Sequence, residues 1–204
     1  MASLASDIQT SPMPAVVEPP RLRPLPAYTH RYSRTINFSD LNVADHLDAA
    51  VLCRYIADAT AVFWMDVLEL PLGYKKSITE WVAHVSGYET QGVQHVVMAN
   101  LEQRLRYAGE GFRLEQVHID VTIRSVTNSS CILALHLFVE RPRPDNDQLV
   151  KRCTLAVAEI TTVMLHPVLH RTLPFTPEMR ACMAKGMPSS GRNTRLNGML
   201  QSRL

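Results

Sequence analysis

A chain of 204 residues, 46% hydrophobic and 20% charged, is long enough for one domain with a sizeable core plus tails. Its formal net charge is only +2, and the surplus cations (Lys185, Arg192, Arg195, Arg203) gather at the C-terminal end, so nucleic-acid binding is not expected. Cys53, Cys131, Cys153 and Cys182 show no CxxC spacing and read as buried thiols in a reducing compartment, not as a disulfide frame or zinc site.

No run is long and apolar enough for a membrane span. The opening MASLASDIQT carries an early acid and lacks the basic start and apolar stretch of a secretory signal, so the expected location is the cytoplasm. Residues 1–28 hold Pro12, Pro14, Pro19, Pro20, Pro24 and Pro26 with little periodicity, which predicts a disordered lead-in. Residues 185–204, rich in Gly, Ser, Asn and Arg, predict a flexible basic tail. The ordered unit is expected at 29–184.

In chain order, alternation of Tyr32, Arg34, Ile36 and Phe38 with polar neighbours predicts a first strand over His30–Phe38. A polar loop with Asp40, Asn42, Asp45, His46 and Asp48 leads into a helix over 47–68, apolar on nearly every face, which predicts an element wrapped by the rest of the chain. The helix stops at Leu70-Pro71-Leu72-Gly73. Residues 74–92 read as irregular, with Trp81–Val85 as a short strand. A long strand follows over Gln94–Tyr107, with Val97, Ala99, Leu101 and Leu105 on one face. Gly109-Glu110-Gly111 turns into a strand over Phe112–Arg124. Asn128-Ser129-Ser130 turns into Cys131–Glu140, RPRPDNDQ forms a hairpin loop, and Leu149–Leu165 is the last long strand. Four long strands joined by turns predict an antiparallel meander, and one buried helix across it predicts an α+β layout, a long central helix against a curled sheet.

The helix start is where chemistry concentrates. Asp45 is placed to cap it, with Asp48 three residues on, beside amides that lack helical partners. A His, an Asn and several carboxylates thus surround donors able to hold a reacting carbonyl. His84, His95, His118, His136, His166 and His170 have no ligand spacing, so a metal site is not expected.

Strand, then DLNVADHLDAA, then a helix with Arg54-Tyr55 resembles the opening of the hotdog-fold acyl-CoA thioesterases of the 4-hydroxybenzoyl-CoA thioesterase-like branch. The resemblance extends through the turn Tyr107 to Glu110 and the closing RTLPFTPEM, similar to that family's exit into a short last helix. It implies a single hotdog domain and thioester hydrolysis of an acyl-CoA or acyl-carrier protein, without metal or cofactor. The implied state is a homodimer or higher oligomer whose active sites lie between subunits. Asn42 falls where such enzymes commonly carry a carboxylate, and Asp45 where they carry Gly. An amide cannot take a proton at neutral pH. The roles implied are His46 as general base, Asn42 orienting water or donating to the carbonyl, and Asp40 or Asp48 holding the imidazole. Amides near Asp48–Ala50 would form the oxyanion site, with Ala49 among the substrate-binding residues. The acyl chain would lie along the helix past Val51, Tyr55, Val62 and Leu68, which read equally well as plain core. Asp58 reads either as an acid facing substrate or as the partner of an arginine such as Arg54 or Arg106.

Two other functions share the pattern. D-x-N…H-x-D also resembles the R-specific enoyl-CoA hydratases, although here Val43 replaces their Pro and a strand replaces their preceding helix. A non-catalytic acyl-binding module is the third reading, on the strength of the missing carboxylate.

Overall fold

The structure, a computed structural model, describes residues 30–71, 73–144 and 146–187. The expected lead-in at 1–28 and the tail beyond Met187 lie outside the described residues. Six strands make one antiparallel sheet: β1 (His30–Thr35), β2 (Val97–Tyr107), β3 (Gln116–Val126), β4 (Ser130–Arg143), β5 (Asn146–His166) and β6 (Arg171–Leu173). The long helix α1 (Ala49–Val67) lies against it, with α2 (Ile78–Val85) and α3 (Pro177–Lys185) at its flank. Among the described residues, no helix is long and apolar enough to cross a membrane.

Alternation drives the sheet. Val117, Ile119, Val121 and Ile123 of β3, with Leu133, Leu135, Leu137 and Val139 of β4, are all essentially inaccessible and face α1. The helix answers with Leu52, Tyr55, Ile56, Ala59, Phe63 and Val67 at helical spacing. The opposite stripe of α1, Cys53, Ala57 and Ala61, is exposed. One chain therefore wraps only part of the helix that its all-round apolarity had suggested would be enclosed.

Four sequence expectations need correction. The meander holds for β3–β4–β5, but the strand order is β1-β3-β4-β5-β2, so β2 pairs with β5 and not with β3. The turn at Gly109 therefore carries the chain across the sheet; a Cβ at Gly109 would sit 2.5 Å from the Thr154 carbonyl oxygen, which explains the glycine. Trp81–Val85 belongs to helix α2, whose start is closed by a capping box. Ser77 accepts from the Glu80 amide, and Glu80 accepts from the Ser77 amide at 2.8 Å. A bulge between Asn100 and Glu102 flips the strand, so Met98, Asn100, Gln103 and Leu105 share a face and the expected set of Val97, Ala99, Leu101 and Leu105 does not. Finally, the RPRPDNDQ segment is mostly ladder: Arg141 pairs with Lys151 and Pro142 with Val150.

Candidate active site at the start of the central helix

Asp48, not Asp45, caps α1: its carboxylate accepts the Ala50 amide at 2.7 Å, and its own amide donates to the Asp40 carbonyl at 2.9 Å. The amides of Ala49 and Val51 are left as first-turn donors. Asp45 instead sits in the left-handed region, φ 59°, inside the loop. That conformation explains the glycine usual in the resembling sequences, and Asp is one of the few other residues that tolerate it.

Asn42 organises the loop. Its Oδ1 accepts the amides of Ala44 (2.8 Å) and His46 (3.2 Å), while its own amide donates to the His46 carbonyl (2.8 Å). With the oxygen so engaged, the side-chain NH2 of this exposed residue has no acceptor among the described residues and is left as a donor.

His46 is stitched to the loop after β2. It forms a β-bridge with Phe112, its ring meets the Phe112 ring edge-on at 5.2 Å, and Leu47 donates to the Gly111 carbonyl at 2.8 Å. Gly111 permits the approach, since a Cβ there would come within 2.9 Å of Ile36. This docking brings Glu110 Oε1 to 3.3 Å from His46 Nδ1. The imidazole's acidic neighbour is thus Glu110, where Asp40 or Asp48 had been expected. The carboxylate favours the Nδ1–H tautomer and leaves Nε2 as the basic nitrogen.

Asp40 has a different task. Only 2% exposed, it accepts from the Asn37 amide (2.9 Å), the Tyr55 hydroxyl (2.8 Å) and Arg54 (3.0 Å). Burial alone would raise its pKa, but these donors, with Arg34 nearby, outweigh it and hold the carboxyl below its ordinary value. Burial and the Asp40 hydrogen bond push the Tyr55 phenol up to about 12, so it stays a donor. Tyr55 is fully enclosed, which leaves it no accessible surface for the expected substrate contact. Asp58 pairs with Arg34 at 3.1 Å, while Arg54 goes to Asp40. Val51 and Val62 are half-buried beside the core; Ala49 is exposed at the helix start.

A cavity of about 230 Å³ opens beside the other half of α1, between α1, α2 and β2, with Ala57, Ala61, Met65 and Leu68 on the helix side and Val82 and Met98 opposite. Of the expected lining residues only Leu68 belongs to it. The signal missed in the sequence is the four-residue spacing of Cys53, Ala57, Ala61 and Met65, a stripe of mostly small side chains. Among the described residues, no His, Cys, Asp or Glu cluster could hold a metal ion.

No protein-family model matches the sequence, and no curated protein matches it. Solved structures do resemble the fold. The PA5185 protein from Pseudomonas aeruginosa matches with a TM-score of 0.58 at 14% identity, over 79% of this chain and 94% of that one. YbaW, a probable thioesterase from Escherichia coli, matches with a TM-score of 0.53 at 14% identity, over 77% and 98%. An Asp-to-Asn mutant of 4-hydroxybenzoyl-CoA thioesterase complexed with 4-hydroxybenzoyl-CoA matches with a TM-score of 0.56 at 11% identity, over 76% and 97%.

Proposed function

We propose that this chain, which carries the hotdog fold of those structures, hydrolyses an acyl-CoA or acyl-carrier thioester to the free acid and thiol. The observation that carries the reading is His46, set on Glu110 beside the spare amide of Asn42 at the open start of α1. In this mechanism His46 Nε2 takes a proton from water as the water attacks the thioester carbonyl. Glu110 steadies the imidazolium through Nδ1–H. The Asn42 NH2 and the Ala49 amide donate to the oxygen as it gains charge. The imidazolium then protonates the departing thiolate. Asn42 needs no carboxylate chemistry in this scheme, which is how a site lacking the usual acid works without metal or cofactor. Four cysteines free of disulfides accord with the cytoplasm as its location.

The working unit in this reading is a homodimer. Among the described residues β2 pairs on one side, with β5, and its exposed residues include Leu101. Its course runs opposite to α1: Gln103 meets Cys53 near the helix start, and Met98 lies at the cavity beside the helix end. Antiparallel pairing of two β2 edges about a two-fold axis would set the cavity of one protomer beside the helix start of its partner.

Thiol release from a panel of acyl-CoAs is the test. Turnover that falls at least about tenfold in both His46→Ala and Asn42→Ala supports the reading. Rates unchanged in both remove the site assignment. Acyl-CoA binding with neither hydrolysis nor hydration of crotonyl-CoA makes the chain an acyl-binding module instead.

A further inference from the structure

The cavity beside α1 is selective by construction. Its polar groups are nearly all turned away from the space they line. The Thr60 hydroxyl donates to the Ile56 carbonyl at 2.8 Å, and the Trp81 indole donates to the Leu68 carbonyl at 2.9 Å. The Trp64 indole N–H is buried with no hydrogen-bond partner among the described residues, and Asn100 Oδ1 already accepts from Thr162 at 2.9 Å. What remains is an apolar wall of Ala57, Ala61, Met65, Leu68, Ile78 and Met98. An acyl group with several hydroxyls would lose its water here with the Asn100 amide and the buried Trp64 N–H as the donors on offer, which costs more than apolar contact recovers.

Shape narrows the choice further. Ala57 to Leu68, both at the cavity wall, lie about 16 Å apart along the helix axis. A polymethylene chain advances about 1.25 Å per carbon at ordinary bond lengths and angles, so a slot of that length takes about twelve carbons. A volume of about 230 Å³ spread over that length leaves room for one chain in single file. The alanines at 57 and 61 make the groove, since any larger side chain there would fill it.

We infer that this slot binds an unbranched aliphatic acyl chain of about twelve carbons, and that Ala57 and Ala61 set its length and width. The inference rests on the hydrolase reading for its substrate class, but its test does not depend on turnover. Trp64 and Trp81 are the only two tryptophans of the chain and both line the slot, so intrinsic fluorescence reports occupancy. The probes are non-hydrolysable S-dodecyl-CoA, S-butyl-CoA and S-(4-hydroxybenzyl)-CoA titrated into the full chain.

The expected result is a saturable emission change with S-dodecyl-CoA, at an affinity at least about tenfold above that of either other thioether. Ala61→Phe should weaken S-dodecyl-CoA at least about tenfold while S-butyl-CoA affinity and the thermal melt stay as they were. Equal affinity for the dodecyl and hydroxybenzyl probes overturns the inference, as does a dodecyl affinity untouched by Ala61→Phe. Should Ala61→Phe fail to fold, Ala57→Leu takes its place with the same expectation. Dodecyl binding without hydrolysis of dodecanoyl-CoA sinks the hydrolase reading and leaves the slot assigned. Hydrolysis of aromatic thioesters without dodecyl binding does the reverse.

Discussion

His46 and Glu110 stand 3.3 Å apart although 64 positions separate them in the chain, and that proximity makes a further claim testable. Replacing Glu110 with Gln should lower kcat about tenfold with little change in KM, and Glu110→Asp should restore part of the loss. A change confined to KM would place Glu110 at substrate binding. Asp40 belongs to folding. Its carboxyl titrates below the ordinary value of 3.8, so its contribution to stability is full above the unfolded-state pKa and is lost as pH falls through the folded one. Urea melts from about pH 6 to about pH 3 should therefore show a stability decline that is shallower in Asp40→Asn. That variant should also be less stable near neutrality, by about 2 kcal/mol, since a charged acceptor serving three donors is lost. His46 and Asn42 stood out in the sequence because a polar loop ahead of an apolar helix is conspicuous. Glu110 did not stand out as His46's neighbour, since no local pattern links it to the loop.

The helix α1 is the element whose limits the sequence marked most nearly. Its apolar spacing located it to within two residues, while its cap was misassigned. Asp45 and Asp48 are equally good caps by residue type, and only the left-handed φ of Asp45 removes it from the choice. Asp48→Ala should cost about 1 kcal/mol in a thermal or urea melt. Asp45→Gly should change stability by less than that, in the favourable direction, because glycine adopts the same φ without strain. Helix α2 was within reach of the sequence: Ser77 and Glu80 spell a capping box three residues apart, ahead of an apolar run. Read with period two, Trp81–Val85 passed for a strand. The bulge in β2 had no such marker. Residues on either side of it keep simple alternation, and the slip shows only when β5 supplies the register.

At the level of the assembled molecule, the long helix and the open strand raise one problem. Among the described residues the outer side of β2 has no strand beside it, and in the dimer reading a second β2 covers that edge while the cavity beside Ala57 and Ala61 stays open. If two β2 strands meet at the two-fold axis, Leu101 is close to it, and Leu101→Glu puts like charges near one another. Sedimentation should then show a dimer for the parent chain and a monomer for the variant, with thioester turnover lost alongside. A variant that stays dimeric would move the interface elsewhere on the molecule. Strand content, one dominant helix and the polar loop at its start were legible from residue order, because periodicity and capping act between neighbours within a few positions. Strand order, the β2 bulge, the Glu110 contact and the slot beside Ala57 and Ala61 were decided by tertiary structure. Each depends on which distant backbone supplies the missing hydrogen bonds or leaves a space unfilled, and short-range patterns carry no term for that.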